Sequence, residues 1–161
     1  MVKRWVVNAS PIITLANIER VNLLPQLCDE MVIPQGVADE IQQGGYNDAA
    51  VDWIRNQGQI FIKPSGGIDP AVASWDLGMG ESHVLSWAIR HREYEAILDD
   101  RAARKAATIL QIPVRGTLSL ILLAKQAGLI TSARAEFDKV LASGFRIGAD
   151  ALAKVLELAE E

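Results

Sequence analysis

The sequence predicts an α/β protein with a mainly parallel sheet that is covered by helices on both faces. Short apolar runs rich in β-branched residues, such as Trp5-Val6-Val7 and Met31-Val32-Ile33, alternate with longer stretches of helical periodicity. Strands that alternate with helices form parallel sheets, because each crossover between strands is a helix. Half of the 161 residues are hydrophobic, so the chain is long and apolar enough to bury a sizeable core.

Five short strands are predicted, each closed by a residue that disfavours its continuation. The first ends at Asn8, Pro34 stops the second, and Lys63-Pro64 closes the third. Asp99-Asp100 ends the fourth, and a fifth precedes Gly116. The predicted strands cover about residues 4–8, 31–33, 60–62, 96–98 and 112–114.

Helices are predicted between these strands from apolar spacing and end signals. Ser10 is the expected N-cap of the first helix, with Pro11 at its first position. Asn47 is expected to cap a helix that ends at Gly58. Residues 21–27 are predicted to form a short apolar turn or helix. The other helical segments cover about residues 35–43, 84–89, 101–110, 117–124, 132–142 and 149–160. Residues 1–161 are therefore expected to form one three-layer α/β/α domain, with a helical C-terminal extension over about 130–161.

Charge and cysteine content limit the classes of function. A net charge of −4 argues against simple coating of nucleic acid, although it permits an enzyme whose acids hold a cation. Cys28 is the only cysteine, so no intramolecular disulfide can form, and a cytoplasmic location is expected. No apolar run is long enough to predict a membrane span, and the N-terminus lacks the pattern of a signal peptide.

Oxygen-bearing side chains follow several of the predicted strands or lie on helices that begin there. Asn8 follows the first strand, Glu40 lies on the helix after the second, Glu81 starts a helix after Gly80, and Asp99-Asp100 follows the fourth. Clustered carboxylates repel one another, so a site that gathers them needs a cation, shared protons or solvent. Oxygen ligands without thiols favour Mg²⁺ or Mn²⁺, ions that activate water against phosphodiesters.

Each of these residues also has an ordinary structural interpretation. Asn8 could simply cap a turn, Glu40 could be a solvated helix residue, and Glu81 could complement the helix dipole. Either Asp99 or Asp100 is expected to be the N-cap of the following helix.

The remaining reactive side chains are expected to be structural. Ser10 lacks a histidine at a spacing that suggests a catalytic base, and His83 and His91 are expected on helix surfaces. Cys28 is expected to be a small apolar filler.

Four segments in this order resemble a PIN domain. They are Val6-Val7-Asn8-Ala9-Ser10-Pro11, Val37-Ala38-Asp39-Glu40-Ile41, Gly80-Glu81-Ser82 and Leu98-Asp99-Asp100-Arg101. The resemblance extends from the first strand through the helix after Gly116-Thr117, and it is to a divergent branch similar to VapC-type toxin ribonucleases.

This resemblance implies a metal-dependent ribonuclease that uses Mg²⁺ or Mn²⁺. The implied catalytic residues are Glu40, Glu81 and Asp100, and the implied metal ligands are Asn8, Glu81, Asp99 and Asp100. Asn8 departs from the family pattern, because it stands where the first acid is expected. A neutral amide oxygen can coordinate a cation but adds no charge, so weaker metal affinity is expected.

The resemblance also implies partners. These are an RNA substrate, a cognate antitoxin that covers the site, and a second copy of the chain in a homodimer. Arg101, Arg104 and Lys105 are the cations expected against RNA phosphates, although a solvated helix face also explains them. The alternative function is a catalytically degenerate PIN-like module that binds RNA or protein. An α/β phosphatase is disfavoured, because Asn8 cannot serve as its nucleophile.

Overall fold

The strands form one parallel sheet. The computed structural model describes residues 2–44 and 48–161. Its strands are β1 (Arg4–Val7), β2 (Glu30–Pro34), β3 (Ile62–Lys63), β4 (Tyr94–Ile97) and β5 (Val114–Arg115). All neighbouring pairs are parallel, and the order across the sheet is β3-β2-β1-β4-β5. The predicted α/β class with a mainly parallel sheet is therefore confirmed.

Strand β1 lies at the centre of this sheet. Val6 pairs with Val32 of β2 on one side and with Ala96 of β4 on the other. Trp5, Val6 and Val7 are fully buried, because helices cover both faces of the strand. Burial on both faces explains why the sequence of β1 is continuously apolar rather than alternating.

Helices connect the strands and form the outer layers. They are α1 (Ala9–Asn17), α2 (Leu23–Leu27), α3 (Gln35–Gln43), α4 (Asp48–Trp53), α5 (Pro70–Ala73), α6 (Met79–Arg90), α7 (Arg101–Ile109), α8 (Thr117–Gln126), α9 (Ala133–Ala142) and α10 (Ala149–Leu158). Within the described part of the chain, none of these helices has the length and apolar character needed to cross a bilayer.

The third strand lies later in the chain than the sequence predicts. Residues Gln59–Phe61 form a 3-10 turn, and the strand comprises only Ile62–Lys63. Ile60 is 78% exposed, so its apolar character does not reflect burial in the sheet. The apolar run was a misleading signal, because a short run does not distinguish a strand from a turn. The fifth strand likewise begins at Val114, after Ile112.

The start of the first helix also differs from the prediction. Asn8, not Ser10, occupies the N-cap position, and Pro11 is the third helical residue. The backbone N–H of Asn8 donates to the carbonyl of Ile97 at 3.1 Å, so Asn8 still extends the sheet while the helix begins at the next residue. The predicted cap at Asn47 lies outside the described residues.

The core tolerates truncation of an isoleucine side chain less well than the surface does. Ile97 in β4 is fully buried, whereas Ile109 in α7 is 58% exposed. We expect Ile97→Ala to lower the free energy of unfolding by about 2–5 kcal/mol, because it leaves a cavity in the central layer. The same substitution at Ile109 should change it by less than about 0.5 kcal/mol. Urea unfolding measures both, and equal losses would contradict this placement of the core.

Candidate functional site

The side chain of Asn8 ends in a buried acceptor at the carboxyl edge of the sheet. Asn8 is 3% exposed, and its side chain makes no capping bond to α1. Its Oδ1 accepts no hydrogen bond from any described residue. Buried polar atoms are nearly always satisfied by a protein group, water or an ion. The amide oxygen of Asn8 is therefore available to a ligand.

Helix α6 brings Gly80 against this oxygen and against Glu40 of α3. A Cβ atom added at Gly80 would lie 2.9 Å from Oδ1 of Asn8, and 3.3 and 3.4 Å from the two carboxylate oxygens of Glu40. Any side chain at position 80 would occupy the space that these oxygens face. We call this space, bounded by Asn8, Glu40 and the backbone of Gly80, the Gly80 notch.

The electrostatics of the notch are set by Glu40 and Glu81. Partial burial raises the pKa of Glu40 above its ordinary value, and the nearby carboxylate of Glu81 raises it further. A cation between two such carboxylates would favour their charged forms and reverse this effect. The side chain of Glu81 turns towards the start of α6, where a Cβ at Gly78 would lie 2.6 Å from its Oε2.

Asp99 has a different environment, because both its oxygens accept hydrogen bonds. The backbone N–H of Thr117 donates to Oδ1 at 2.8 Å, while Oδ2 accepts from the Thr117 hydroxyl at 2.6 Å and from the Ser10 hydroxyl at 3.1 Å. These bonds join the end of β4 to the first turns of α1 and α8. Asp99 therefore fixes the relative positions of three elements at the edge that holds Asn8.

Of the two residues that the sequence offers as the cap of α7, the structure places Asp100 at the N-cap position. Its Oδ2 accepts from the backbone N–H of Ala103 at 3.0 Å, and Asp100 is exposed to solvent. Capping uses one carboxylate oxygen, so it does not preclude a second role for this residue.

The proposed metal ligands do not form a compact group of acids. Within residues 2–44 and 48–161, no three histidine, cysteine, aspartate or glutamate side chains come together as a group that could hold a metal ion. The structure instead pairs Asn8 with Glu40, with Glu81 close enough to affect the pKa of Glu40. The ligand set Asn8, Glu81, Asp99 and Asp100 stays a prediction.

The three cations expected to contact RNA lie on α7 in two environments. Arg101 and Lys105 are exposed, while Arg104 is half-buried and donates from Nη1 to the carbonyl of Leu98 at 3.1 Å. A Cβ at Gly116 would lie 2.5 Å from Nη1 of Arg104 and 3.1 Å from Oδ1 of Asp99. Arg104 thus approaches the acidic edge, and Arg101 and Lys105 face solvent.

Sequence reasoning missed the packing roles of Gly80, Ser10 and Thr117. The sequence predicts a helix that starts after Gly80, yet Gly80 lies inside α6 and allows the helix to approach the notch. Ser10 was taken as a cap, yet its hydroxyl binds Asp99. The pair Gly80-Glu81 at a helix start was the available signal for the packing role of Gly80. Nothing in the spacing of the sequence links Ser10 or Thr117 to Asp99.

The histidines are less exposed than the sequence suggests. A Cβ at Gly36 would lie 2.6 Å from Cδ2 of His83, so the imidazole packs against α3. His91 packs on Trp87 with ring centroids 4.3 Å apart. Both histidines are therefore half-buried at the surface, because the close contact of α3 with α6 and the aromatic stacking cover part of each ring.

Comparison with known families agrees with this architecture. A model of the PIN-domain family matches residues 4–161. No curated protein matches the chain significantly.

The repulsion between Glu40 and Glu81 can be measured directly. We expect Glu81→Gln to lower the pKa of Glu40 towards its ordinary value without reaching it, because burial, the larger cause, remains. The raised pKa means that folded Glu40 holds its proton more tightly than the unfolded chain does. Ionisation of Glu40 therefore costs stability as pH rises above the unfolded value of 4.5, and Glu81→Gln should reduce that cost.

Carboxyl-carbon NMR titration of Glu40 measures this shift. Asp39→Asn is the matched control, because Asp39 neighbours Glu40 but accepts from Gln35 at 2.8 Å. An equal fall of the Glu40 pKa in both variants would contradict the specific coupling to Glu81.

Proposed function

Because this chain belongs to the PIN-domain family, which has a nuclease-type fold and generally uses divalent metal ions, we propose that it is a Mg²⁺- or Mn²⁺-dependent endoribonuclease. The observation that carries the proposal is the Gly80 notch. It combines an unsatisfied buried amide oxygen with a carboxylate whose pKa is raised by partial burial and, to a lesser extent, by a second carboxylate. Oxygen donors of this kind suit a hard divalent cation.

The residues of the notch fit such an ion, although with less charge than an all-acid site. Asn8 and Glu81 would contribute oxygens, and Glu40 would lie beside them with its carboxylate free to accept a proton. In such a site, the bound ion would polarise the phosphodiester and lower the pKa of water. The amide at position 8 reduces the repulsion that the unfilled site must withstand, at the cost of weaker attraction for the ion.

Glu40 is the residue best suited to accept a proton. Its two carboxylate oxygens face the notch, and its exposed position gives water access. In the proposed mechanism, Glu40 takes a proton from the water that attacks the phosphorus. The bond from phosphorus to the leaving ribose oxygen breaks at the same time, and that oxygen takes a proton from solvent. Asp99 positions the start of α1, and with it Asn8, through the bond from Ser10.

The biological role that we propose is that of the toxin in a toxin–antitoxin pair in the cytoplasm. An antitoxin would cover the notch and place a basic side chain among its acids, which would relieve the repulsion between Glu40 and Glu81. A short reading frame for a DNA-binding protein immediately upstream of the gene would support this role. Homodimer formation is part of the same proposal.

The nuclease proposal predicts a loss of RNA cleavage when the acids are removed. In Mn²⁺, the double variant Glu81→Ala/Asp100→Asn should cleave single-stranded RNA at least about 100-fold more slowly than the native chain. Asparagine is a good N-cap, so α7 should keep its start.

The matched control is Asp52→Asn/Glu93→Ala, which changes two exposed carboxylates outside the site. Gel analysis of a labelled RNA measures cleavage, and circular dichroism verifies folding. Unchanged cleavage in the Glu81/Asp100 variant, or no Mn²⁺-dependent cleavage by the native chain, would refute the nuclease proposal.

A second candidate function is a degenerate module that binds RNA or protein without cleaving. The buried neutral Asn8 at the position of the family's first acid favours it. Asn8→Asp separates the two functions. A native nuclease should gain Mn²⁺ affinity and keep its activity, whereas a degenerate module should acquire cleavage that the native chain lacks.

The same substitution predicts a change in stability that depends on the cation. Without divalent ions, Asn8→Asp should lower the melting temperature by roughly 4–8 °C, because a third carboxylate is then buried beside Glu40 and Glu81 at a cost of about 2 kcal/mol. Mn²⁺ should restore most of the loss, because the ion binds only the folded state. Differential scanning calorimetry with and without Mn²⁺ measures both effects.

Asn56→Asp is the control, since Asn56 is exposed. A melting temperature for Asn8→Asp that does not respond to Mn²⁺ would contradict a cation site at the notch.

A further inference from the structure

A cleft of about 440 Å³ opens at the start of α8, where the chain between α9 and α10 passes over it. Its volume lies in the range of sites that hold small organic ligands. The lining residues that matter here are Asp99, Arg104, Thr117, Phe145, Arg146 and Lys154. We call this space the α8–α10 cleft.

The cleft is locally cationic in an acidic protein. Arg104, Arg146 and Lys154 line it against the one carboxylate of Asp99, while the whole chain has a net charge of −4. Arg146 and Lys154 are exposed, and neither forms an ion pair with a described residue. Cations that are not committed to internal carboxylates favour an anionic ligand.

One wall of the cleft is apolar and includes an aromatic ring. Phe145 and Ile147 are half-buried, and Leu118 and Leu122 of α8 also line the space. A bare phosphate ion would use only the cations. A nucleotide would use both parts, because its phosphate pairs with Arg or Lys and its base stacks on an aromatic side chain.

Helix α10 forms one wall of the cleft, and the residues that follow it are held by Glu161. Its carboxylate accepts from Lys125 Nζ at 2.8 Å, from the Ser132 hydroxyl at 2.7 Å and from the backbone N–H of Ala133 at 2.7 Å. The bond from Lys125 is the largest of the effects that lower the pKa of Glu161 to about 2, so this carboxylate is charged at neutral pH. These bonds tie the residues after α10 to the start of α9 and the end of α8.

The cleft lies next to the edge that carries the Gly80 notch, because Asp99 belongs to both. Asp99 lines the cleft and also accepts from Ser10, which is two residues after Asn8. A strand whose phosphodiester lies at the notch can therefore continue past Asp99 towards Arg104 and the cleft.

We propose that the α8–α10 cleft binds one nucleotide of a single-stranded RNA, beside the phosphodiester that is cut. Arg146 and Lys154 bind its phosphate, and Phe145 stacks on its base. This inference rests on the proposed function for its choice of RNA. An amphipathic acidic segment of a protein would also meet apolar and cationic groups, but the aromatic ring and the position of the cleft beside the edge that carries the notch favour RNA.

Binding of a labelled RNA in the absence of divalent ions tests the cleft separately from cleavage. A fluorescein-labelled single-stranded RNA of about ten nucleotides is titrated with the full chain in EDTA, at several salt concentrations. Arg146→Ala/Lys154→Ala should weaken binding about tenfold and reduce the salt slope by about 0.7, the value for one neutralised phosphate of a single strand. Phe145→Leu should weaken binding by a similar factor without changing the salt slope, because it removes stacking and retains bulk.

Lys3→Ala/Arg55→Ala is the matched control. It removes the same charge from the opposite edge, since Lys3 precedes β1 and Arg55 precedes β3. The inference is overturned if the Arg146/Lys154 variant binds RNA within twofold of this control, or if the native chain does not bind the RNA. It is also overturned if an acidic amphipathic peptide, rather than the RNA, binds in a manner that depends on Arg146 and Lys154.

The binding experiment and the cleavage assay can refute the two proposals independently. Binding that depends on the cleft without Mn²⁺-dependent cleavage would refute the nuclease and retain the cleft. Cleavage by the native chain with unchanged binding in the cleft variants would refute the cleft and retain the nuclease.

Discussion

The carboxylate of Asp99 is the contact on which the functional edge of the molecule depends. Parallel pairing of β1 with β4 brings Asn8 beside the end of β4, but it does not fix how the following helices leave the sheet. The bonds from Ser10 and Thr117 to Asp99 do so for α1 and α8. Because hydrogen bonds to a charged group are stronger than neutral ones, this cross-link stabilises the notch on one side and the cleft on the other.

The fold class and the alternation of strands and helices along the chain could be predicted from the sequence. The boundaries of the individual elements could be predicted less well. Alternating apolar strands and amphipathic helices predicted the parallel sheet, because buried strands and crossover helices have distinct periodicities. The exposed run at Ile60 was a false strand signal. The short helix α5 was missed, although Asp69 caps it through the N–H of Ala71 and Pro70 starts it. The Asp69-Pro70 pair was the available signal, because the four-residue helix itself is too short to show periodicity.

The sequence indicated which residues approach the carboxyl edge of the sheet, but it indicated less well which atoms these residues contact. Asn8 and Glu40 were both singled out, and the structure brings them to Gly80. Chain position indicates where a strand ends, but side-chain direction depends on helix packing that no local pattern encodes. For this reason the sequence did not distinguish Asp99, which cross-links three elements, from Asp100, which caps one helix.

The two outer strands of the sheet have a consequence for how copies of this protein can associate. β3 and β5 each contain only two residues, so the sheet presents very short edges. A short edge offers few backbone groups as a template for another chain, which protects against amyloid-like stacking and runaway polymerisation. Short edges therefore favour pairing of subunits through side chains over pairing through strands, and the specificity of such pairing can be altered by surface substitutions that leave the sheet intact.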